Sequence, residues 1–259
     1  MTDGLSAATL AIYIILVIPS VYILVKHGRQ GLFGWLFLAI FCTIRIVGSG
    51  LSLSNSSAAS IISNIGLSPL LFATCGILKE AKTYRLKSLD RRLEAVFDFF
   101  FHMLVAAGVI LTAIASSKLQ HHEQPIEKAE RKVKAGMAIL TISWVVLVGW
   151  TGLAFLAPRR TSPVVRQGTL LLSTVCFSLS FIGVRVIYSL VAMSTQRVDL
   201  NPTTGSLAIR VVLSFLPELI AAIAYIAAGM KARDAPKQDR EEEAEEWSMA
   251  KQTVSPVDA

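Results

Sequence analysis

Residues 206–230 read SLAIRVVLSFLPELIAAIAYIAAGM. Apart from Arg210 and Glu218 the stretch is without charge, and it exceeds the roughly 20 residues that a helix needs to cross about 30 Å of hydrocarbon. Six further apolar runs lie upstream, near 6–25, 31–53, 58–78, 95–117, 135–157 and 168–193. Lipid offers the backbone no hydrogen-bond partners, so only helices or closed barrels cross it, and runs of this length are helical rather than short alternating strands. The expected fold is all-α, a polytopic membrane protein with seven transmembrane helices over 1–230.

The whole-chain composition agrees. The 259 residues are 53% hydrophobic with a mean hydropathy of +0.58, more apolar surface than a soluble domain of this size hides. The net charge of +7 would suggest nucleic acid in a soluble protein, but these cations gather in the short loops between apolar runs. That is how topology is written, so the lipid bilayer is the expected partner and nucleic acid is not. Sixteen lysines and arginines fall in the loops after spans one, three and five and in the tail. Six fall on the other side: Lys118, Lys128, Arg131, Lys132, Lys134 and Arg197. The positive-inside rule then sets the N terminus in the lumen and the C terminus in the cytosol, with the endoplasmic reticulum as the expected membrane. The first segment has Asp3 and no basic lead-in, which reads as a retained first helix. Asn55-Ser56-Ser57 is a glycosylation sequon in a turn too tight against the membrane to be used. The tail 231–259, with Glu241, Glu242, Glu243, Glu245 and Glu246, has too little apolar content to pack and is expected to be disordered.

A weak repeat runs through the chain. Arg29-Gln30-Gly31 opens span two and Arg166-Gln167-Gly168 opens span six. Each span then carries an arginine well inside it, Arg45 and Arg185, and each following span has a proline, Pro69 and Pro217. Two same-orientation triplets joined by a fourth helix make a 3+1+3 plan.

Ionisable groups within spans cost about 2.5–3.5 kcal/mol each on the insertion scale, so they mark candidate sites. Arg45, Asp98, His102, Arg185, Arg210 and Glu218 are of this kind. Arg45, Arg185, Arg210 and the carboxamide of Asn64 fall in the lumenal half, with Glu218 nearer the midplane. They could converge on one polar cavity, as a substrate-binding set or as a structural ion pair between helices. Glu94, Asp98 and His102 recur every four residues along one face of span four, where Asp98 and His102 could act as a general acid and base. A carboxylate bonded to Arg91 or Arg92 at the membrane boundary is the plainer alternative.

Other chemistries find no residues. Cys42, Cys75 and Cys176 sit in apolar runs without metal-like spacing and read as packing residues. Glycine-rich phosphate loops, His-Glu-x-x-His helices, nucleophile elbows and aspartate-rich diphosphate motifs are missing from the sequence. His102 is the sole histidine within the expected spans, too few for a paired haem ligation, and span seven has no interior lysine for a retinal Schiff base. The expectation is a protein without a metal or cofactor.

Trp35 and Arg45 in span two, Pro69 in span three, Asp98 and His102 in span four and Pro217-Glu218 in span seven form a pattern. It resembles the membrane-bound terpene cyclases of fungal meroterpenoid pathways, of the ascochlorin, ascofuranone and macrophorin type. The resemblance implies isomerisation of an apolar prenylated substrate, a farnesylated and epoxidised phenol or quinone, started by a neutral carboxylic acid. Glu218, Asp98 and His102 are then the expected catalytic residues, because burial disfavours the charged form of a carboxyl. An arginine close to Glu218 would argue against that role. The competing expectation is a small-solute transporter or a receptor-like seven-span protein, for which the repeat and the two prolines are the sequence features.

Overall fold

In the computed structural model, residues 2–54, 56, 62, 66–86, 91–120, 126–195 and 205–254 are described. A continuous helical stretch, Thr2–Leu53, doubles back at Gly28, whose φ of 57° lies in the left-handed region that glycine occupies without strain. Its two arms, α1 (Gly4–Gly28) and α2 (Gly31–Leu53), run antiparallel. Tyr13 meets Phe41 edge to face at 5.6 Å, and at the far end Ser6 and Ser52 share a 2.9 Å hydroxyl bond.

The remaining helices are α3 (Leu67–Arg85), α4 (Arg91–Gln120), α5 (Ile126–Leu156), α6 (Val165–Thr195), α7 (Leu207–Lys231) and α8 (Ala235–Val254). Among the described residues six helices, α1, α2, α4, α5, α6 and α7, are long and apolar enough to cross a membrane. They carry Ile18, Phe100 and Leu156 outward, exposed as a lipid-facing surface requires. The protein is therefore an all-α polytopic membrane protein. Of the cysteines, Cys42 and Cys75 are buried and Cys176 is exposed.

The centre of the bundle is α3, which packs against α2, α4, α5 and α6. Its close approach to α2 depends on Gly34 and Gly76: a Cβ on Gly34 would lie 2.7 Å from the Ile77 backbone nitrogen. Small residues are how membrane helices bring their backbones together when water offers no driving force. The run expected at 58–78 is described as a helix only from Leu67 and continues to Arg85, because its charged end finds partners inside the bundle. Lys82 is paired with Glu94 of α4, and the Arg85 guanidinium donates to the Ala154 carbonyl and, at 3.3 Å, to that of Phe155, meeting the free carbonyls at the end of α5.

Two irregularities position the later residues. Within α7, Val211–Phe215 forms a π turn in which the Leu216 N–H reaches back five residues to the Val211 carbonyl. Pro217, lacking an N–H, follows immediately. The tail departs from its expected disorder, since Ala235–Val254 is helical. Alanine and glutamate favour helix, Pro236 occupies the first turn where its missing N–H costs nothing, and Asp239 finds Arg160 at 3.0 Å in the loop between α5 and α6.

Candidate functional site

Three helices place a charged cluster in the body of the bundle. Glu218 follows the π turn and Pro217 on α7 and is 1% exposed. Its Oε1 accepts the Arg185 Nε–H of α6 at 2.8 Å, and its Oε2 accepts an N–H of Arg45 from α2. Arg185 also donates to Ser189 one turn along α6. The guanidiniums lie over aromatic rings, Arg45 over Phe41 at 5.6 Å and Arg185 over Tyr188 at 5.8 Å, where ring quadrupoles favour a cation. Two arginines on one carboxylate leave a positive charge over. Beside them the buried Tyr13 hydroxyl and the Arg45 Nε have no hydrogen-bond partner among the described residues. The start of α3 closes over the same place, since a Cβ on Gly66 would meet the Arg45 guanidinium at 3.3 Å.

Arg45, Arg185 and Glu218 thus meet in one cluster. Arg210 is half-buried at the end of the first segment of α7, and its charge reaches Tyr188. Asn64 lies outside the described residues.

The pairing expected on α4 is different. The Asp98 carboxylate is bound by Lys79 of α3, with Cys75 Sγ 3.9 Å away. His102 instead hydrogen-bonds through Nδ1 to the Asp98 backbone carbonyl at 2.6 Å, and its ring stacks on Phe72 at 4.9 Å. The i,i+4 spacing brought His102 to the main chain of Asp98, while the carboxylate turned to a cation on another helix. Glu94, one turn earlier, is bound by Lys82 at 2.6 Å. Lys82 also lies 4.8 Å over Trp150, whose ring stacks on Phe97 at 4.1 Å.

A second buried centre was not legible in the sequence. Glu80 of α3 is fully buried and binds His27 of α1 at 2.6 Å, the Trp35 indole of α2 at 2.7 Å and the Tyr84 hydroxyl at 3.0 Å. The other His27 nitrogen meets the Gly229 carbonyl of α7 at 2.9 Å, so that nitrogen carries a proton. One proton is then shared between His27 Nδ1 and Glu80: the pair is either an imidazolium with a carboxylate or a neutral imidazole with a carboxylic acid. Gly31 and Gly229 make room, because a Cβ on Gly31 would fall 2.6 Å from Glu80 Oε2 and one on Gly229 would fall 2.5 Å from the Trp35 ring. The usable signal was the i,i+4 spacing of Glu80 and Tyr84 together with His27 before Gly28. Lys79, Lys82 and Arg85 around Glu80 made that segment look like a loop.

These centres lie within the part of the chain that a sequence model of a domain of unknown function, DUF7702, matches over residues 1–235. The chain belongs to the DUF7702 family. The match takes in α1 to α7 and stops at the first residue of α8, so both buried centres belong to the family body and the tail helix lies beyond it. No curated protein matches the chain. No solved structure does either. Among the described residues, no group of three or more histidine, cysteine, aspartate or glutamate side chains could hold a metal ion.

Proposed function

We propose that this protein is a seven-span carrier of a small organic anion, with the anion bound between Arg45 of α2 and Arg185 of α6. The observation that carries the reading is the sharing of Glu218 by both arginines, which leaves one positive charge in a site where the Arg45 Nε–H and the Tyr13 hydroxyl have no partner among the described residues. Buried excess charge in a membrane protein favours a counter-ion from outside the chain. In this reading α3 is the seventh span, and its polar side chains are carried inside the bundle rather than towards lipid. Arg45 and Arg185, 16 and 19 residues after the Arg29 and Arg166 that open their spans, are read as counterparts in a 3+1+3 repeat. They meet on one α7 residue, beside a π turn and a proline, the kind of interruption found where transporters bind. The basic loops set the N terminus in the lumen and the tail in the cytosol.

Proteoliposomes test the carrier reading. Saturable uptake of at least one member of a panel of mono- and dicarboxylates and inorganic phosphate is expected, with loss of uptake in Arg45→Met. If nothing in the panel is taken up or raises the thermal stability of the purified protein, the reading fails.

Terpene cyclisation is a second reading, and one observation favours it. Glu218 and Asp98 are bound by arginine and lysine, whose charge is fixed, whereas the partner of Glu80 that can carry charge is His27, which can also be neutral and leave the proton on Glu80. An acid for protonating an epoxide or olefin is therefore better sought at Glu80. Microsomes would convert an epoxyfarnesyl phenol to a cyclic isomer of unchanged mass, and Glu80→Gln would abolish that conversion. No conversion across prenylated phenols, or full conversion by Glu80→Gln, would refute this assignment.

A further inference from the structure

The loop between α5 and α6 carries Arg159-Arg160-Thr161-Ser162-Pro163. Two arginines before a serine and a proline after it form a substrate pattern for cytosolic protein kinases, and Arg159, Thr161 and Pro163 are exposed. The structure gives the central serine a particular neighbour: Ser162 Oγ donates to the Glu242 carboxylate of α8 and accepts the Val164 N–H at 3.2 Å. Arg160, two residues earlier, holds Asp239 at 3.0 Å and reaches Glu242 at 3.6 Å. Gln167 and Gln238 meet through their carboxamides at 2.9 Å. The contacts made by Arg160, Ser162 and Gln167 join this loop and the first turn of α6 to one face of α8.

We propose that Ser162 is a phosphorylation site whose modification detaches α8 from the bundle. The kinase transfers the terminal phosphoryl group of a nucleoside triphosphate. A P–O bond forms to Ser162 Oγ as the bond to the leaving nucleoside diphosphate breaks, and the hydroxyl proton passes to the base of the kinase. Three changes follow in the docked geometry. The hydroxyl that donated to Glu242 is gone. In its place stands a group of about −1.5 to −2 charge, facing Glu242 with Glu241 next to it in sequence. The same group draws the Arg160 guanidinium, for which phosphate oxygens are strong bidentate acceptors. Asp239 is only 1% exposed while docked, and drawing Arg160 away removes the cation that holds it to the loop. Release into water relieves the repulsion that the phosphate meets at Glu242.

Release has a consequence for the bundle. The loop that holds α8 is itself tied to the end of α3, where the Arg160 N–H donates to the Arg85 carbonyl at 2.8 Å, one residue past Tyr84 of the Glu80 cluster. Docked α8 is therefore coupled through Arg160 to the helix that carries Glu80. The family match ends at residue 235, so the docked segment lies beyond the matched residues. In a cell, access of the kinase rests on the cytosolic orientation proposed above. The site itself is tested without that assumption, and without any transport assay.

The full-length protein in nanodiscs is incubated with an arginine-directed kinase and ATP. The modified residue is mapped by mass spectrometry, and amide hydrogen exchange is followed over 236–242. Phosphate on Ser162 and at least tenfold faster exchange over 236–242 are expected, with both lost in Ser162→Ala. Arg160→Ala frees α8 by another route and should speed exchange without phosphate. Phosphate confined to Thr161, or a phosphorylated Ser162 with unchanged exchange, would overturn the proposal.

Discussion

Replacing Glu218 by glutamine keeps its size and removes its charge, and the local geometry determines the effect. The carboxylate presents one oxygen to each arginine, Oε1 to the Arg185 Nε–H at 2.8 Å and Oε2 to an Arg45 N–H. A carboxamide has one oxygen, so one arginine must face its NH2 group, donor against donor. Two guanidiniums then share the buried site without a counter-charge. Leaving a buried charge unpaired costs about 3–5 kcal/mol. At about 2–4 °C per kcal/mol for a chain of this size, Glu218→Gln should melt about 6–20 °C below the parent. The assay is size-exclusion of a fluorescent fusion after heating in detergent. Arg185→Met should cost less, because Arg45 and Glu218 remain a neutral pair. The triple variant Arg45→Met, Arg185→Met, Glu218→Leu should recover most of the loss, since apolar groups of similar volume replace buried ion pairs at little cost. A Glu218→Gln protein that melts within about 2 °C of the parent would refute the idea that this carboxylate balances both arginines.

Other perturbations test single contacts. Glu80→Leu removes the acceptor of Trp35, Tyr84 and His27 and should destabilise by at least about 3 kcal/mol in the same heating assay, and a loss below about 1 kcal/mol would count against the cluster as a structural tie. Gly34→Leu forces α2 off α3, so the fluorescent fusion should give little monodisperse protein, and a normal profile would contradict the close crossing. Lys82→Met should destabilise by stranding Glu94, and adding Glu94→Leu should restore stability; a double variant as weak as the single one would show that Lys82 acts through its stacking on Trp150 instead.

The parts of this fold that were legible in the sequence share one physical origin, the cost of charge in lipid. Apolar length marked α1, α2, α4, α5, α6 and α7, and the scarcity of charge within those runs made Arg45, Arg185 and Glu218 conspicuous. Groups so costly in lipid must find each other, and they did. Glu80 was hidden for the opposite reason: with Lys79, Lys82 and Arg85 nearby it looked like part of a solvated loop, whereas Glu80 is bound to α1 and α2, Lys79 and Lys82 to α4, and Arg85 to α5. Spacing along one helix also says which residues share a face without saying which atoms meet. Asp98 and His102 do share a face, yet the imidazole bonds the main chain and the carboxylate bonds Lys79. The tail showed the same limit, because composition could not register that Arg160 waits for Asp239.

The wide turn at Val211–Phe215 divides α7 into two rods that keep separate rotational settings. A regular helix advances about 100° per residue, so drawing this turn back to α geometry would swing Arg210 around the axis by about that angle while Glu218 stayed between its arginines. Like the two halves of a bayonet joint, the segments of α7 meet at this turn, with Arg210 on one half and the shared carboxylate on the other.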